Sequence, residues 1–166
     1  EGTDTLKEIE ALSFTDYTYR IDGGNPPLAR PDTATTAQNS SIAIDVLTND
    51  LSFEGDALNL IALDDAGVVG SVSFTSDGEV SYAPGAAFQD LDASDTATET
   101  FTYTVSDGAG RTASSEIEVQ IEGKQDPPVV KDDQITAGED GSTTISTSTL
   151  LANDEAIDGD ADLSVQ

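Results

Sequence analysis

The apolar residues of this chain alternate with polar ones in short runs, and this period of two is the strongest constraint on its fold. In the segment ETFTYTVS, Glu99–Ser106, the side chains of Phe101, Tyr103 and Val105 fall on one face, as they do in a half-buried β-strand. The segment Thr112–Ile121 repeats the pattern. No stretch of ten residues shows convincing helical periodicity. We therefore predict an all-β chain.

Turn-forming residues divide the middle of the chain into about seven strands. The predicted strands lie near Thr33–Thr36 and at Ser41–Leu47, Leu58–Leu63, Ser71–Thr75, Glu79–Ala83, Glu99–Ser106 and Thr112–Ile121. About seven alternating strands in roughly a hundred residues are typical of an antiparallel Greek-key β-sandwich of the immunoglobulin type. We assign the aromatic residues Phe74, Tyr82, Phe101 and Tyr103 to its core.

Two phrases occur twice in the chain, about a hundred residues apart. The linker NPPLARPD, residues 25–32, returns as DPPVVKDD, residues 126–133. The acidic loop NDLSFEGD, Asn49–Asp56, returns as NDEAIDGD, Asn153–Asp160. Such self-similarity predicts repeated units. We expect a β-rich segment over residues 1–23, a sandwich over 24–124 and the start of a second, truncated unit over 125–166, all part of a longer protein.

The charge of the chain restricts its partners. It has 33 acidic and 6 basic residues and a formal net charge of −27, so it should repel nucleic acid and anionic membranes and attract cations. It has neither Cys nor His, which disfavours zinc and thiol chemistry. No apolar run is long enough for membrane insertion, and no residues are singled out as catalytic, so we do not expect an enzyme.

The acidic loops carry the oxygen ligands that Ca²⁺ prefers. Neither loop is a complete EF-hand, because Ile61 and Val165 stand where the closing Glu would be. We expect linker acids, including Asp22, to supply missing ligands, so that the metal joins neighbouring units. The candidate ligands are Asp32, Asn49, Asp50, Glu54, Asp56, Asp126, Asp133, Asn153, Asp154, Asp158 and Asp160. The alternative is that these acids are ordinary surface turns, which is how we interpret Asp107 in DGAG.

The segment TETFTYTVSDGAGRTASSEIEVQIEGKQDPPVVKDD, Thr98–Asp133, resembles the end of VCBS-type and bacterial cadherin-like repeats. PDTATTAQNSSIAIDVLTNDLSFEGDALNL, Pro31–Leu60, resembles the opening of the same repeats, although Ser52 and Glu54 depart from their usual loop. GTDTLKEIEALSFTD, Gly2–Asp16, is similar to the tail of RTX regions. The resemblance implies an Ig-like sandwich with Ca²⁺ near its joints, in a large secreted adhesin on a bacterial cell surface.

Two functions follow as expectations. The first is a calcium-stiffened extender repeat for cell adhesion, whose partners are the neighbouring repeats and, through the whole adhesin, host-cell, surface or biofilm glycans or proteins. The second is a β-sandwich module that itself binds a carbohydrate or protein ligand. Sugar sites use aromatic platforms, and this chain has nine Phe and Tyr residues in total, of which Tyr17 and Tyr19 are least committed to a core.

Overall fold

The computed structural model describes residues 11–13, 18–20, 23–156 and 163–165. Most of the regular structure in these residues is β. The strands are β1 (Ala11–Ser13), β2 (Thr18–Arg20), β3 (Asp32–Ala37), β4 (Ile42–Asp45), β5 (Asn59–Asp64), β6 (Ser71–Phe74), β7 (Glu79–Ala83), β8 (Thr96–Ser106) and β9 (Thr112–Glu122). A 3₁₀ turn at Gly85–Phe88 and a one-turn helix, α1 (Thr147–Leu150), complete the set.

Strands β3 to β9 form two sheets that pack face to face. One sheet has the order β3-β9-β8-β5 and the other has the order β4-β7-β6. The chain passes between the sheets after β3, β4, β5 and β7, which gives the crossed connections of an immunoglobulin-type sandwich. All pairings are antiparallel except that of β3 with β9, which is parallel over Asp32–Ala37. The predicted all-β sandwich is confirmed.

The core lies between the inner faces of the two sheets, where the alternating apolar residues meet. Burying such side chains contributes about 25 cal/mol per Å² of apolar surface, which makes this layer the main source of stability. The buried apolar residues are Ile44, Val46, Leu60, Val80, Tyr82, Phe101, Tyr103, Val105, Ile117, Val119 and Ile121.

All seven predicted strands of the sandwich are present, and their ends agree with the prediction to within three residues. The assignment of Phe74 to the core is wrong, because its side chain is 41% exposed. Phe74 ends β6, which is an edge strand, and Val72 of the same strand packs against the core instead. Period-two alternation identifies the face of a residue, but it does not show where the covering sheet stops.

The flanking segments are described only in part. Strands β1 and β2 pair as an antiparallel hairpin, as expected for a β-rich segment, but most of the RTX-like motif Gly2–Asp16 lies outside the described residues. After β9, residues 125–156 are mostly exposed, with one bridge between Val129 and Glu155. In the part of the chain that is described, no helix is long and apolar enough to cross a membrane.

A buried carboxylate fixes the connection between β5 and β6. Glu99 is 8% exposed, and its side chain accepts hydrogen bonds from the backbone N–H of Val69 and Gly70 and from the hydroxyl of Tyr82. Gly70 fits only without a side chain, because a Cβ there would lie 2.7 Å from the carbonyl oxygen of Ala83. The backbone of the β5–β6 loop therefore packs directly against the Glu99 carboxylate.

We expect Glu99→Gln to lower the free energy of unfolding by about 2 kcal/mol, because an amide N–H₂ would face donors that now bond a carboxylate. Denaturant unfolding measures this difference. The control is Glu118→Gln on the exposed side of β9, which removes the same charge and should change stability by no more than about 0.5 kcal/mol. Equal effects of the two substitutions would contradict the structural role of Glu99.

Candidate metal site

The first acidic loop folds against the linker that leads into the sandwich. Leu28 and Leu51 form a two-way backbone bridge, with N···O distances of 2.8 and 3.0 Å. The N–H of Arg30 donates to Asp50 Oδ1 at 2.8 Å, and its guanidinium Nη1 donates to the carbonyl oxygen of Asn49 at 2.9 Å. The acidic loop and the linker are therefore in direct contact in the structure.

The core strand β8 holds this contact in place through Tyr103. Its ring is fully buried, and its hydroxyl oxygen lies 2.7 Å from the carbonyl oxygen of Arg30 and 2.9 Å from Asp50 Oδ1. The amide Nδ2 of Asn49 donates to Asp32 Oδ1 at 3.0 Å and to the carbonyl oxygen of Pro31 at 3.1 Å. Asp32, Asn49 and Asp50 are thus brought together around one tyrosine hydroxyl.

Each of these three side chains keeps one oxygen without a partner. Asp32 Oδ2, Asn49 Oδ1 and Asp50 Oδ2 are shielded from solvent and accept no hydrogen bond from any described residue. A buried polar atom without a partner costs about 1–3 kcal/mol, and more when it is charged. Three such oxygens in one group are an arrangement that a hard cation would stabilise.

The raised pKa values of Asp32 and Asp50 also favour a bound cation. The pKa of Asp32 is raised to about 6, chiefly by burial and also by the carboxylates of Asp50 and Asp45, whereas the neighbouring Tyr103 hydroxyl and Asn49 amide act against this rise. Burial also raises the pKa of Asp50, although Arg30 and Tyr103 act against this rise. The negative charges of Asp32 and Asp50 are therefore poorly stabilised in the folded protein, and a bound cation or a proton would stabilise the group.

This candidate set is small. Within the described ranges, no group of three or more Asp, Glu, His or Cys side chains is placed to hold a metal ion. The group described above has two carboxylates and one amide oxygen. Since Ca²⁺ takes six to eight oxygens, water or further chain oxygens would have to complete its coordination. Oxygen-only donors of this kind fit Ca²⁺ better than a soft metal.

The other two predicted ligands of the first loop have their own partners. Glu54 Oε1 accepts from the side-chain Nδ2 of Asn25 at 2.7 Å and from its backbone N at 3.1 Å, and these bonds lower the pKa of Glu54. Asp56 pairs with the guanidinium of Arg111 at 3.1 Å. Both residues therefore fasten the loop to other parts of the chain.

Asp107 is a turn residue, as interpreted from the sequence. Its Oδ1 accepts from the backbone N–H of Ala109 at 3.0 Å and of Arg111 at 3.1 Å. Its Oδ2 pairs with Nε of Arg111, whose guanidinium also reaches Asp56. Asp107 thus closes the DGAG turn and orients the arginine that holds the acidic loop.

The second unit repeats the contacts between loop and linker. Val129 and Glu155 form a two-way bridge with distances of 2.9 and 3.0 Å. The N–H of Lys131 donates to Asp154 Oδ1 at 2.8 Å, and Asn153 Nδ2 donates to the carbonyl oxygen of Asp132 at 3.1 Å. These contacts match those of Leu28 with Leu51, Arg30 with Asp50 and Asn49 with Pro31, so the sequence repeat is also a structural one.

The remaining predicted ligands are placed differently or lie outside the described residues. Asp133 is exposed. Asp126 accepts a hydrogen bond from Gln38 Nε2 of the first sandwich at 2.8 Å. Asp22, Asp158 and Asp160 are outside the described residues.

Sequence reasoning missed four residues that build the site and its surroundings: Asn25, Arg30, Gln38 and Tyr103. For Tyr103 a signal existed, because a tyrosine in a core alternation needs a partner for its hydroxyl. For Gln38, which is fully buried, the sequence shows only a polar residue in a turn. Its partners are 51 to 88 residues away in the chain, beyond the reach of local pattern.

The fold and the paired loop and linker define an immunoglobulin-like structural module. Residues 24–120, more than half of the chain, match a family described as the bacterial Ig domain, and the chain belongs to this family. No curated protein matches the chain.

One similar solved structure is described as a nucleoside hydrolase-related hypothetical protein from Saccharophagus degradans that is associated with carbohydrate metabolism. The identity is 14% and the TM-score is 0.38, with 60% of this chain and 26% of that chain covered. The present chain thus spans about a quarter of that protein's length.

In metal-free protein, we expect Asp32→Asn to stabilise the sandwich near pH 7.5. The folded-state pKa of Asp32, about 6, is above its ordinary value of 3.8, so the folded state binds this proton more tightly than the unfolded state. The contribution of Asp32 to the free energy of unfolding therefore falls as the pH rises from about 4 through about 6. The amide of the variant does not titrate, so the variant would not show this loss.

Thermal melting in chelator between about pH 4 and pH 7.5 measures the effect. The control is Asp90→Asn, which removes the same charge at an exposed position. The advantage of Asp32→Asn over Asp90→Asn should be largest near pH 7.5 and shrink towards pH 4. A pH-independent difference between the two variants would contradict the raised pKa.

Proposed function

We propose that this chain is a calcium-binding structural repeat, an extender, of a secreted bacterial surface adhesin, and that it has no catalytic role. The observation that carries the proposal is the group of three buried oxygens without partners on Asp32, Asn49 and Asp50. Membership of the bacterial Ig domain family supports a structural module, since domains of this kind typically stand outside the cell.

The residues of the group suit a hard cation. Asp32 Oδ2, Asn49 Oδ1 and Asp50 Oδ2 would hold it, and Ca²⁺ accepts carboxylate and amide oxygens in irregular geometry. Mg²⁺ is less suited, because it demands near-ideal octahedral geometry and keeps its water more tightly. The net charge of −27 would also concentrate divalent cations near the protein.

Binding at this place would stiffen the connection between units. Asp32 begins β3 directly after the linker, whereas Asn49 and Asp50 belong to the acidic loop. A cation shared among them adds an electrostatic tie to the backbone bridge of Leu28 and Leu51. The repeated contacts of Lys131 with Asp154 and of Asn153 with Asp132 support an equivalent site in the second unit, with Asp133 in the position of Asp32.

An extender repeat also fits the placement of the aromatic residues better than a ligand-binding module does. Tyr82, Phe101 and Tyr103 are buried in the core, and Tyr19 packs edge-to-face against Phe53 with ring centroids 5.5 Å apart. These rings are therefore engaged within the chain itself. In an extender, the neighbouring repeats are the direct partners, and any host-cell, surface or biofilm glycan or protein is contacted through the adhesin as a whole.

We expect Ca²⁺ to raise the melting temperature of the wild-type chain, because a ligand that binds only the folded state adds RT ln(1 + [L]/Kd) to stability. A calorimetric titration up to about 10 mM covers the weak affinities of extracellular calcium modules, roughly 0.1–1 mM. Mg²⁺ at the same concentrations should give a smaller shift.

Asp32→Asn and Asp50→Asn should each reduce the calcium shift of the sandwich transition, whereas Asp90→Asn should leave it unchanged. Asp154→Asn should leave the sandwich transition unchanged as well, because it belongs to the second unit. A wild-type chain that melts at the same temperature with Ca²⁺ and with chelator would overturn the proposal. So would equal losses in Asp32→Asn and Asp90→Asn.

A further inference from the structure

Two carboxamide side chains, Asn25 and Gln38, are buried at opposite ends of the sandwich. Asn25 is 1% exposed and Gln38 is 0% exposed, which is unusual for such polar residues. Asn25 precedes the first Pro-Pro pair, and Gln38 follows β3. Neither belongs to the group of unpartnered oxygens around Asp50, so their burial needs a separate explanation.

Gln38 binds the peptide that leaves the sandwich. Its Oε1 accepts from the backbone N–H of Lys124 at 3.0 Å, and its Nε2 donates to Asp126 Oδ2 at 2.8 Å. The carbonyl oxygens of Lys124 and Gln89 lie at 3.3 and 3.4 Å from the same Nε2. Because Lys124 N–H requires an acceptor, the amide orientation is fixed, and its N–H₂ points into a ring of three oxygens.

Asn25 makes the corresponding connection at the other end. Its Oδ1 accepts from the backbone N–H of Arg20 in β2, and its Nδ2 donates to the carbonyl oxygen of Arg20 at 3.0 Å and to Glu54 Oε1 at 2.7 Å. One side chain thus ties the preceding hairpin to the acidic loop of the sandwich.

The two joints share one arrangement with reversed roles. Asn25 and Asp126 occupy equivalent positions of the repeat, directly before Pro-Pro. At the first joint the pre-proline residue supplies the amide and Glu54 supplies the carboxylate. At the second joint the pre-proline residue supplies the carboxylate and Gln38 supplies the amide. In both, a buried amide N–H₂ donates to the carboxylate.

We propose that each end of the sandwich is a docking surface for the adjoining segment, held there by a buried amide that donates to a carboxylate and requires no cation. The partner at the Gln38 end is an extended peptide with a carboxylate before Pro-Pro, the linker of the following unit. The acidic loop then holds the later part of each linker, near Arg30 or Lys131, where calcium would act. Each linker is therefore held at two places, and only the contact with the acidic loop would be strengthened by metal.

NMR on the full chain in chelator tests the Gln38 surface. The wild-type Lys124 amide should exchange slowly, and residues 124–126 should show the high ¹⁵N–¹H NOE of ordered backbone. Gln38→Leu should speed Lys124 exchange about tenfold, because the acceptor is lost. The matched control is Gln89→Leu, since the side chain of Gln89 bonds to the carbonyl oxygens of Gln38 and Gly85 and not to the linker.

A second pair of variants, in which residues 38 and 126 exchange their amide and carboxylate groups, keeps the test valid if Gln38→Leu fails to fold. Gln38→Glu retains an acceptor for Lys124 but opposes the Asp126 carboxylate, so the NOE of Asp126 should fall. Adding Asp126→Asn to Gln38→Glu should restore it, because the amide and the carboxylate have changed places.

Rapid Lys124 exchange in the wild type, or equal effects of Gln38→Leu and Gln89→Leu, would overturn the inference. So would a double variant as mobile as Gln38→Glu alone. All measurements are made without calcium, so their outcome is separate from that of the calcium titration.

Discussion

The hydroxyl of Tyr103 connects the packing of the sandwich to the chemistry of its joint. The ring is part of the buried core, while the hydroxyl reaches Asp50 and the carbonyl oxygen of Arg30 at the edge of that core. Burial raises the pKa of this hydroxyl well above its ordinary value, so it remains a donor. The loop and the linker are therefore positioned by a core strand. A change in core packing that moves Tyr103 would also move the acidic group.

Six acids of the described residues separate into two kinds once the fold is known. Glu54, Asp56, Glu99 and Asp107 are each satisfied by an amide, a guanidinium, a hydroxyl or backbone N–H groups of the chain itself. Asp32 and Asp50 keep oxygens that no described group satisfies. Sequence composition treats all of these carboxylates alike, and only the three-dimensional contacts show which of them have capacity left for a ligand.

Local pattern was sufficient to predict the strands, because alternation and turn residues are properties of neighbouring positions. The internal repeat was sufficient to group Asp32 with Asn49 and Asp50, since the linker and the loop recur as a pair. The partners of Glu54 and Asp56 could not be predicted in this way. Asn25 and Arg111 lie 29 and 55 residues from them, and nothing in their spacing indicates the contact. The assignment of Phe74 to the core was wrong for a related reason, because the edges of a sheet are set by tertiary pairing.

The parallel pairing of β3 with β9 has a mechanical consequence. Asp32 pairs with Ile117 and Ala37 pairs with Glu122, so the chain enters the sandwich at one end and leaves it at the other. Tension along a string of such units would pull these two strands in opposite directions along their length. The hydrogen bonds between them would then be loaded together in shear, rather than opened one after another. This geometry suits a module that bears tension along a chain of such units.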